Sequence, residues 1–282
     1  MPGVWKCCVN AKKRAAMFDL GKLPSAISRK IAGLKWTCDD VGMSNSTVLL
    51  FDKMVLKIEK VSHSSEREKS LLGWLDGKLP VPKVIETVTQ SDYSFLLMSK
   101  LPGEMACSDN SLQNIEDTIV AMANGLKMLW EIDISNCPYS STVTEKLAQV
   151  KYDIENDLVN IDNFDLETFT TDGFKDILDL YSYLDQNRPV EDLVFSHGDY
   201  YLPNLFVSGS DITGFLDLGN GGISDRWQDI ALCVRTLRSR HMRFANRGED
   251  QYQKYRSLLF RQLGFKPDEE KIRYYILLYE FF

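Results

Sequence analysis

Three polar residues in one stretch of the chain have the types and the spacing for phosphoryl transfer. Asp199 closes the tripeptide His197-Gly198-Asp199. Asn204 follows after four intervening residues, and Asp217 after a further twelve. Moving a phosphoryl group from a nucleotide to an alcohol needs one carboxylate to accept the proton of the attacking hydroxyl. It also needs oxygen donors for the Mg2+ ions that bridge the nucleotide phosphates, a task for an amide and a second carboxylate. Asp199 is the candidate for the first task, and Asn204 and Asp217 for the second. Taken singly, Asp and Asn are turn formers whose side chains bond nearby backbone, which is how Asp211 reads. The joint spacing sets the other three apart.

Such residues need strand ends to hold them. Residues 193–196 and 205–207 are short apolar runs, Ser208-Gly209-Ser210-Asp211 is turn chemistry, and residues 212–218 return as a third apolar run. Upstream, the loop 42–47 (GMSNST) leads into strands predicted at 48–51 and 54–58, joined at Asp52-Lys53. A loop in that place lies over nucleotide phosphates, although its single glycine makes it a weak signal by itself. Lys57 stands inside the apolar strand MVLKI. A strand Lys paired to a helix Glu, donating to the α and β phosphates, is a kinase arrangement. Glu66 and Glu68, both on a helix predicted over 65–75, compete as its partner. Residues 83–88 and 94–98 read as strands, and Ser99-Lys100-Leu101-Pro102-Gly103 ends the sheet as a hinge. Beyond it the pattern turns helical. Ile115, Ile119, Met122, Leu126, Leu129 and Trp130 keep a 3-4 spacing, and residues 144–158 continue it. Trp227, Ile230, Ala231, Val234 and Leu237 form another stripe with Asp225 as its N-cap, and a helix over 274–282 closes the chain. Residues 24–34 have helical spacing as well.

With 282 residues the chain can form one sizeable unit or two packed lobes. An apolar share of 44% and a charged share of 26% place it with soluble globular proteins, and no run of about 18 apolar residues marks a membrane span. A net charge of -7 argues against a nucleic-acid partner and is compatible with a cationic small-molecule substrate. The six cysteines are scattered without a CxxC pair, which predicts neither a zinc site nor a disulfide framework, and suits a reducing cytoplasm. Residues 1–16 are basic at Lys6, Lys12, Lys13 and Arg14 but lack the apolar core of a signal peptide. Residues 1–19 are read as an extension, disordered or foreign to the fold.

The segments HGDYYLPN, TGFLDLG, SDRWQDIA and YYILLYEFF together closely resemble the aminoglycoside 3'-phosphotransferases, bacterial enzymes that inactivate kanamycin- and neomycin-like antibiotics using ATP. The first segment alone indicates only the wider kinase-like superfamily, whereas the whole set, from about Gly42 to Phe282, points to this family. The resemblance implies an α+β, two-lobed, protein-kinase-like fold. Residues 20–99 would form the nucleotide-binding lobe, a small antiparallel sheet with one helix. Residues 100–282 would form a mainly helical catalytic and substrate-binding lobe, with ATP and Mg2+ between the two. It further implies that Ser44 contacts phosphate and that Glu68 rather than Glu66 partners Lys57. The hinge backbone at Met98, Ser99 and Leu101 would bond the adenine edge. Glu167, Arg235, Glu280 and the terminal carboxylate of Phe282 would take the amino sugar. The expected enzyme is a cytoplasmic monomer or weak homodimer with no nucleic-acid or membrane partner.

Several positions depart from the family pattern. Val55 replaces an aromatic residue that stacks on adenine, Asn220 an arginine, Phe164 an acidic residue, and Ser239-Arg240 an acidic pair. Residues 240–247 (RHMRFANR) look like a short basic insertion. Positive charge beside a site for a cation weakens binding. These changes keep a second reading in view, a kinase of another small hydroxyl compound. A non-catalytic nucleotide-binding regulator is the third reading. It would normally have lost one of Lys57, Asp199, Asn204 or Asp217, and all four are present.

Overall fold

The structure, a computed structural model, describes residues 19–39, 46–161, 164–238 and 248–282. Ser44 with residues 42–45 of its loop, Ser239-Arg240 and the basic segment 240–247 lie outside the described residues, as do residues 1–18. The chain divides into two compact units. The first takes in Met1–Thr118 and Leu202–Asn220, and the second Ile119–Tyr201 and Gly221–Phe282.

The first unit is built on a five-stranded antiparallel sheet, β1 (Thr37–Cys38), β2 (Thr47–Leu50), β3 (Met54–Lys60), β4 (Val84–Gln90) and β5 (Tyr93–Ser99), in the order β1-β2-β3-β5-β4. Side chains alternate along a strand, so Leu56 and Ile58 share one face. There they join Leu49, Phe51, Phe95, Leu97 and Ile27 of the Ser25–Ile31 helix in a buried core. Lys57 therefore points to the other face. The His63–Leu75 helix begins at a reciprocal cap, Ser62 accepting from Ser65 N–H while Ser65 Oγ accepts from Ser62 N–H, and buries Leu71, Leu72 and Leu75. A second antiparallel sheet pairs Leu205–Ser208 with both Asp211–Phe215 and the short strand Glu104–Met105. The apolar run 212–218 is thus a strand only to Phe215. Asp217 adopts a left-handed backbone (φ 54°), and Leu218–Asn220 turns as a 3-10 helix.

In the second unit Leu193–Ser196 pairs antiparallel with Gly222–Asp225, the latter a strand too short and polar to be legible beforehand. The Arg226–Arg238 helix that follows is buried from Trp227 to Val234 and again at Leu237, which accounts for its run of Trp227, Ile230, Ala231, Leu232, Cys233 and Val234. Asp225 takes the expected cap position, with Trp227 N–H donating to Oδ1 at 3.2 Å. Its Oδ2 also receives Lys271 Nζ and the Tyr275 hydroxyl, at 2.9 and 3.0 Å. The closing helix runs over Glu269–Tyr279, capped by Asp268, so it starts earlier than residue 274 and stops three residues short of the end. No helix among the described residues is long and apolar enough to cross a membrane.

Candidate active site

In the first unit the site grows from Lys57. Its ammonium donates to Glu68 Oε2 at 2.7 Å and to Asp217 Oδ1 at 2.6 Å, with Glu59 Oε1 at 3.6 Å. Glu68 is the partner the resemblance selects. Glu66, the rival, faces outward and receives Lys69 at 2.8 Å. Burial works against the charge on Lys57, but Glu68, Asp217 and Glu59 outweigh it and hold the ammonium well above its ordinary range. Burial pushes the Glu68 carboxyl up, opposed by Lys57. Glu68 is buried, whereas the Asp217 side chain is 46% exposed. One carboxylate fixes the lysine from behind, and the other is open to a ligand.

The Asp217 loop is seated by backbone packing. Gly219 lies against the start of the His63–Leu75 helix so closely that an added Cβ would stand 2.2 Å from Ser64 Oγ and 2.8 Å from Ser64 O. Only glycine lets the helix that carries Glu68 meet the turn that carries Asp217. Leu216 N–H donates to Asn204 O at 2.8 Å, tying Asn204, which is buried, to the same loop. An amide and a carboxylate are hard oxygen donors of the kind Mg2+ takes beside water and substrate phosphate, so the donor set fits that ion. Among the described residues no group of three or more His, Cys, Asp or Glu forms a metal cage. At the hinge, Ser99 N–H donates to Lys83 O and Lys100 N–H to Lys53 O. Met98 is buried and pairs with both Val55 and Val84.

In the second unit the His197-Gly198-Asp199 loop is held from below by Asp229. Its fully buried carboxylate accepts the N–H of His197 at 2.8 Å and of Gly198 at 3.0 Å. Burial pushes the Asp229 carboxyl up to about 6 against the pull of those bonds. Gly198 turns at φ 80°, which glycine adopts without strain. His197 is buried, and its Nδ1 accepts the Asp199 N–H at 3.3 Å, so it stiffens the loop. Tyr200, also buried, donates to Met122 O at 2.7 Å. Asp199 itself accepts a hydrogen bond at Oδ1 from the Tyr279 hydroxyl.

Of the four residues expected at the amino sugar, the structure joins two. Arg235 lies 3.2 Å from Glu280 Oε1 and donates to Asp165 Oδ2 at 2.9 Å, while Asp165 N–H donates to Glu280 Oε2. Glu280 is buried, which raises its carboxyl to about 7 despite Arg235. Phe282 is half-exposed, with Lys146 Nζ 4.6 Å from its ring centroid. Glu167 falls on the short helix Leu166–Thr170, and its side chain lies outside the described residues. Phe164 is occupied by packing, edge-on to Phe281 at 5.1 Å and against Phe169 at 5.6 Å. Sequence reasoning missed Asp165 and Tyr279. Asp165 adjoins Phe164 and so was one place from the position searched for an acid. Tyr279 stood in plain view in YYILLYEFF, but nothing in its type suggested a role.

The family model for the phosphotransferase enzyme family matches residues 37–263, and the chain belongs to that family. Within it, the chain is 41% identical over 261 residues to an aminoglycoside 3'-phosphotransferase of Enterococcus faecalis, covering 88% of this chain and 94% of the relative. It is 40% identical over 260 residues to one of Staphylococcus aureus, with the same two shares. Among solved structures, an aminoglycoside phosphotransferase from Streptomyces rimosus superposes with a TM-score of 0.76 at 22% identity, over 94% of this chain and 99% of that one. At that identity the likeness bears on the fold, which is the protein-kinase-like fold of these enzymes.

Proposed function

We propose that the chain transfers the γ-phosphoryl group of ATP, with Mg2+, to a hydroxyl of aminoglycosides such as kanamycin and neomycin, the 3' hydroxyl, and so inactivates them in the cytoplasm. The observation that carries the reading is Lys57 bonded at once to Glu68 and to Asp217, at 2.7 and 2.6 Å. A strand lysine fixed by a helix glutamate is placed to neutralise nucleotide phosphates, and a loop aspartate beside it to hold their metal ion. Asn204 is the second ligand of that ion, which when bound draws charge from the phosphate oxygens. Asp199 accepts the proton of the attacking hydroxyl. Met98, Ser99 and Leu101 hold the adenine edge, and Ser44 a phosphate. Arg235, Glu280, Glu167 and Phe282 line the acceptor side, where carboxylates bond ammonium groups. The choice of the 3' hydroxyl rests on the named activity of the relatives from E. faecalis and S. aureus.

The test is ADP release by the purified chain with ATP and Mg2+, offered kanamycin, neomycin, a 3'-deoxy aminoglycoside or no acceptor, with Asp199→Ala as control. Turnover of kanamycin and neomycin but not of the 3'-deoxy compound, lost in Asp199→Ala, is the expected outcome. Phe164 favours one rival reading, a kinase of a different small hydroxyl compound, because its aromatic cluster puts no charge where an ammonium would need one. ATP binding without turnover of any aminoglycoside, together with ADP release on a hydroxyl compound that lacks the amino sugar, would decide for that rival.

A further inference from the structure

The closing helix ends on a side chain that none of the roles above uses. The Tyr279 hydroxyl donates to Asp199 Oδ1 at 2.6 Å, within the short range of an O–H donor to an ionised carboxylate. Burial, and after it the Asp199 charge, push the Tyr279 phenol well above its ordinary range. It therefore stays a donor and does not compete with Asp199 as a base. Its ring is fixed as well. The Arg235 guanidinium carbon lies 5.5 Å from the ring centroid, and Arg235 is anchored by Asp165 and Glu280. Glu280, next in the chain, caps the helix with its N–H on Leu277 O and Leu278 O.

An aspartate carboxylate turns broadly about its last torsion. A bond to one oxygen, from a phenol whose ring Arg235 overlies, settles its plane. We propose that Tyr279 is a positioning residue for phosphoryl transfer, its hydroxyl setting the orientation in which Asp199 receives the acceptor proton. The proposal rests on the reading of Asp199 as proton acceptor. In the step it serves, the acceptor O–H gives its proton to Asp199 and the acceptor oxygen bonds the γ-phosphorus. The bond from that phosphorus to the β,γ-bridging oxygen breaks, and ADP leaves. Tyr279 keeps its proton throughout.

The test compares wild type, Tyr279→Phe and a chain with 3-fluorotyrosine at position 279, in steady-state kinetics with kanamycin and ATP and in thermal unfolding. Tyr279→Phe keeps the ring over which Arg235 lies and removes only the donor. The expected result is kcat roughly 10-fold lower, with both KM values within about two-fold of wild type, because orientation is lost and not binding. The fluorinated residue keeps the donor and should restore kcat, and the melting temperature should be alike in all three. Wild-type kcat in Tyr279→Phe, or a raised acceptor KM with kcat intact, would overturn the proposal, the first making Tyr279 a packing residue and the second a substrate contact. No turnover by the wild-type chain itself would remove the parent reading and this one with it, an outcome distinct from an active enzyme with an indifferent variant.

Discussion

Lys57 balances one buried carboxylate against one exposed carboxylate, and the two sides of that balance respond differently to mutation. In Lys57→Ala the Glu68 carboxylate stays buried with its cation gone. Stranding a buried charge in this way costs about 3–5 kcal/mol, so the variant should unfold at clearly lower urea as well as lose ATP affinity. Glu68→Gln removes the charge that is expensive to bury and still offers Lys57 an acceptor, and Asp217 remains its partner. Its stability should stay within about 1 kcal/mol of wild type, since Lys57 keeps Asp217 and Glu59 as anionic partners and no buried charge is left uncompensated. Its kcat/KM for ATP should nonetheless fall roughly ten-fold, because the lysine is no longer fixed from behind. Urea unfolding beside ATP titration by calorimetry separates the two variants. Equal stability losses would show that the pair acts as structural packing and not as an adjustable phosphate clamp. Lys57 and both candidate glutamates were legible from an apolar strand followed by a helix. Glu68 over Glu66 was not, because the choice depends on which face of that helix meets the sheet.

Elements matter here through what they pin. The Arg226–Arg238 helix delivers Asp229, and Asp229 holds the two amides immediately before Asp199. Asp229→Ala would remove the acceptor 2.8 Å from the His197 N–H and leave the Gly198 N–H with Ser196 Oγ at 3.2 Å, a loss of about 1–3 kcal/mol for a buried donor deprived of its acceptor. The loop should loosen, and kcat should drop by more than the change in either KM. A stable Asp229→Ala variant with wild-type kcat would show that the loop holds its shape without this support. Local pattern made β2 to β5, the strands Leu193–Ser196, Leu205–Ser208 and Asp211–Phe215, and the Ile115–Trp130 helix readable, because periods of 2 and of 3.6 are written in the residues themselves. The strand Gly222–Asp225 and the helix Gly248–Leu263 were not read. The first carries Gly, Ser and Asp and becomes a strand only by pairing with Leu193–Ser196. The second is heavily polar over its first three turns and is organised by tertiary burial of Tyr255, Leu258 and Leu259. Asp229 lay in a recognised segment, yet its bonds span 31 and 32 positions, a separation no local pattern encodes.

For the molecule as a whole, the buried carboxylates make stability depend on pH with a sign that can be worked out. Burial raises Asp229 from 3.8 to about 6 and Glu280 from 4.5 to about 7. Between the unfolded and folded values, the native state binds the proton that the unfolded chain has already released. The contribution of each group is therefore complete below its unfolded value and is lost as pH rises through its folded value. For Glu280 that window runs from 4.5 to about 7, and across it stability should fall by up to about 1.4 kcal/mol per pH unit. The net charge of -7 at pH 7 adds a second term of the same sign, since a more acidic chain repels itself more strongly as pH rises. Salt separates the two, because it screens repulsion among exposed charges and reaches buried ones far less. Urea unfolding at pH 5, 6, 7 and 8 in about 0.5 M salt should still show stability declining toward pH 7, with a shallower decline in Glu280→Gln. Parallel slopes for wild type and Glu280→Gln would mean that Glu280 is ionised in the fold throughout. Arg235 and the Asp165 amide would then outweigh its burial.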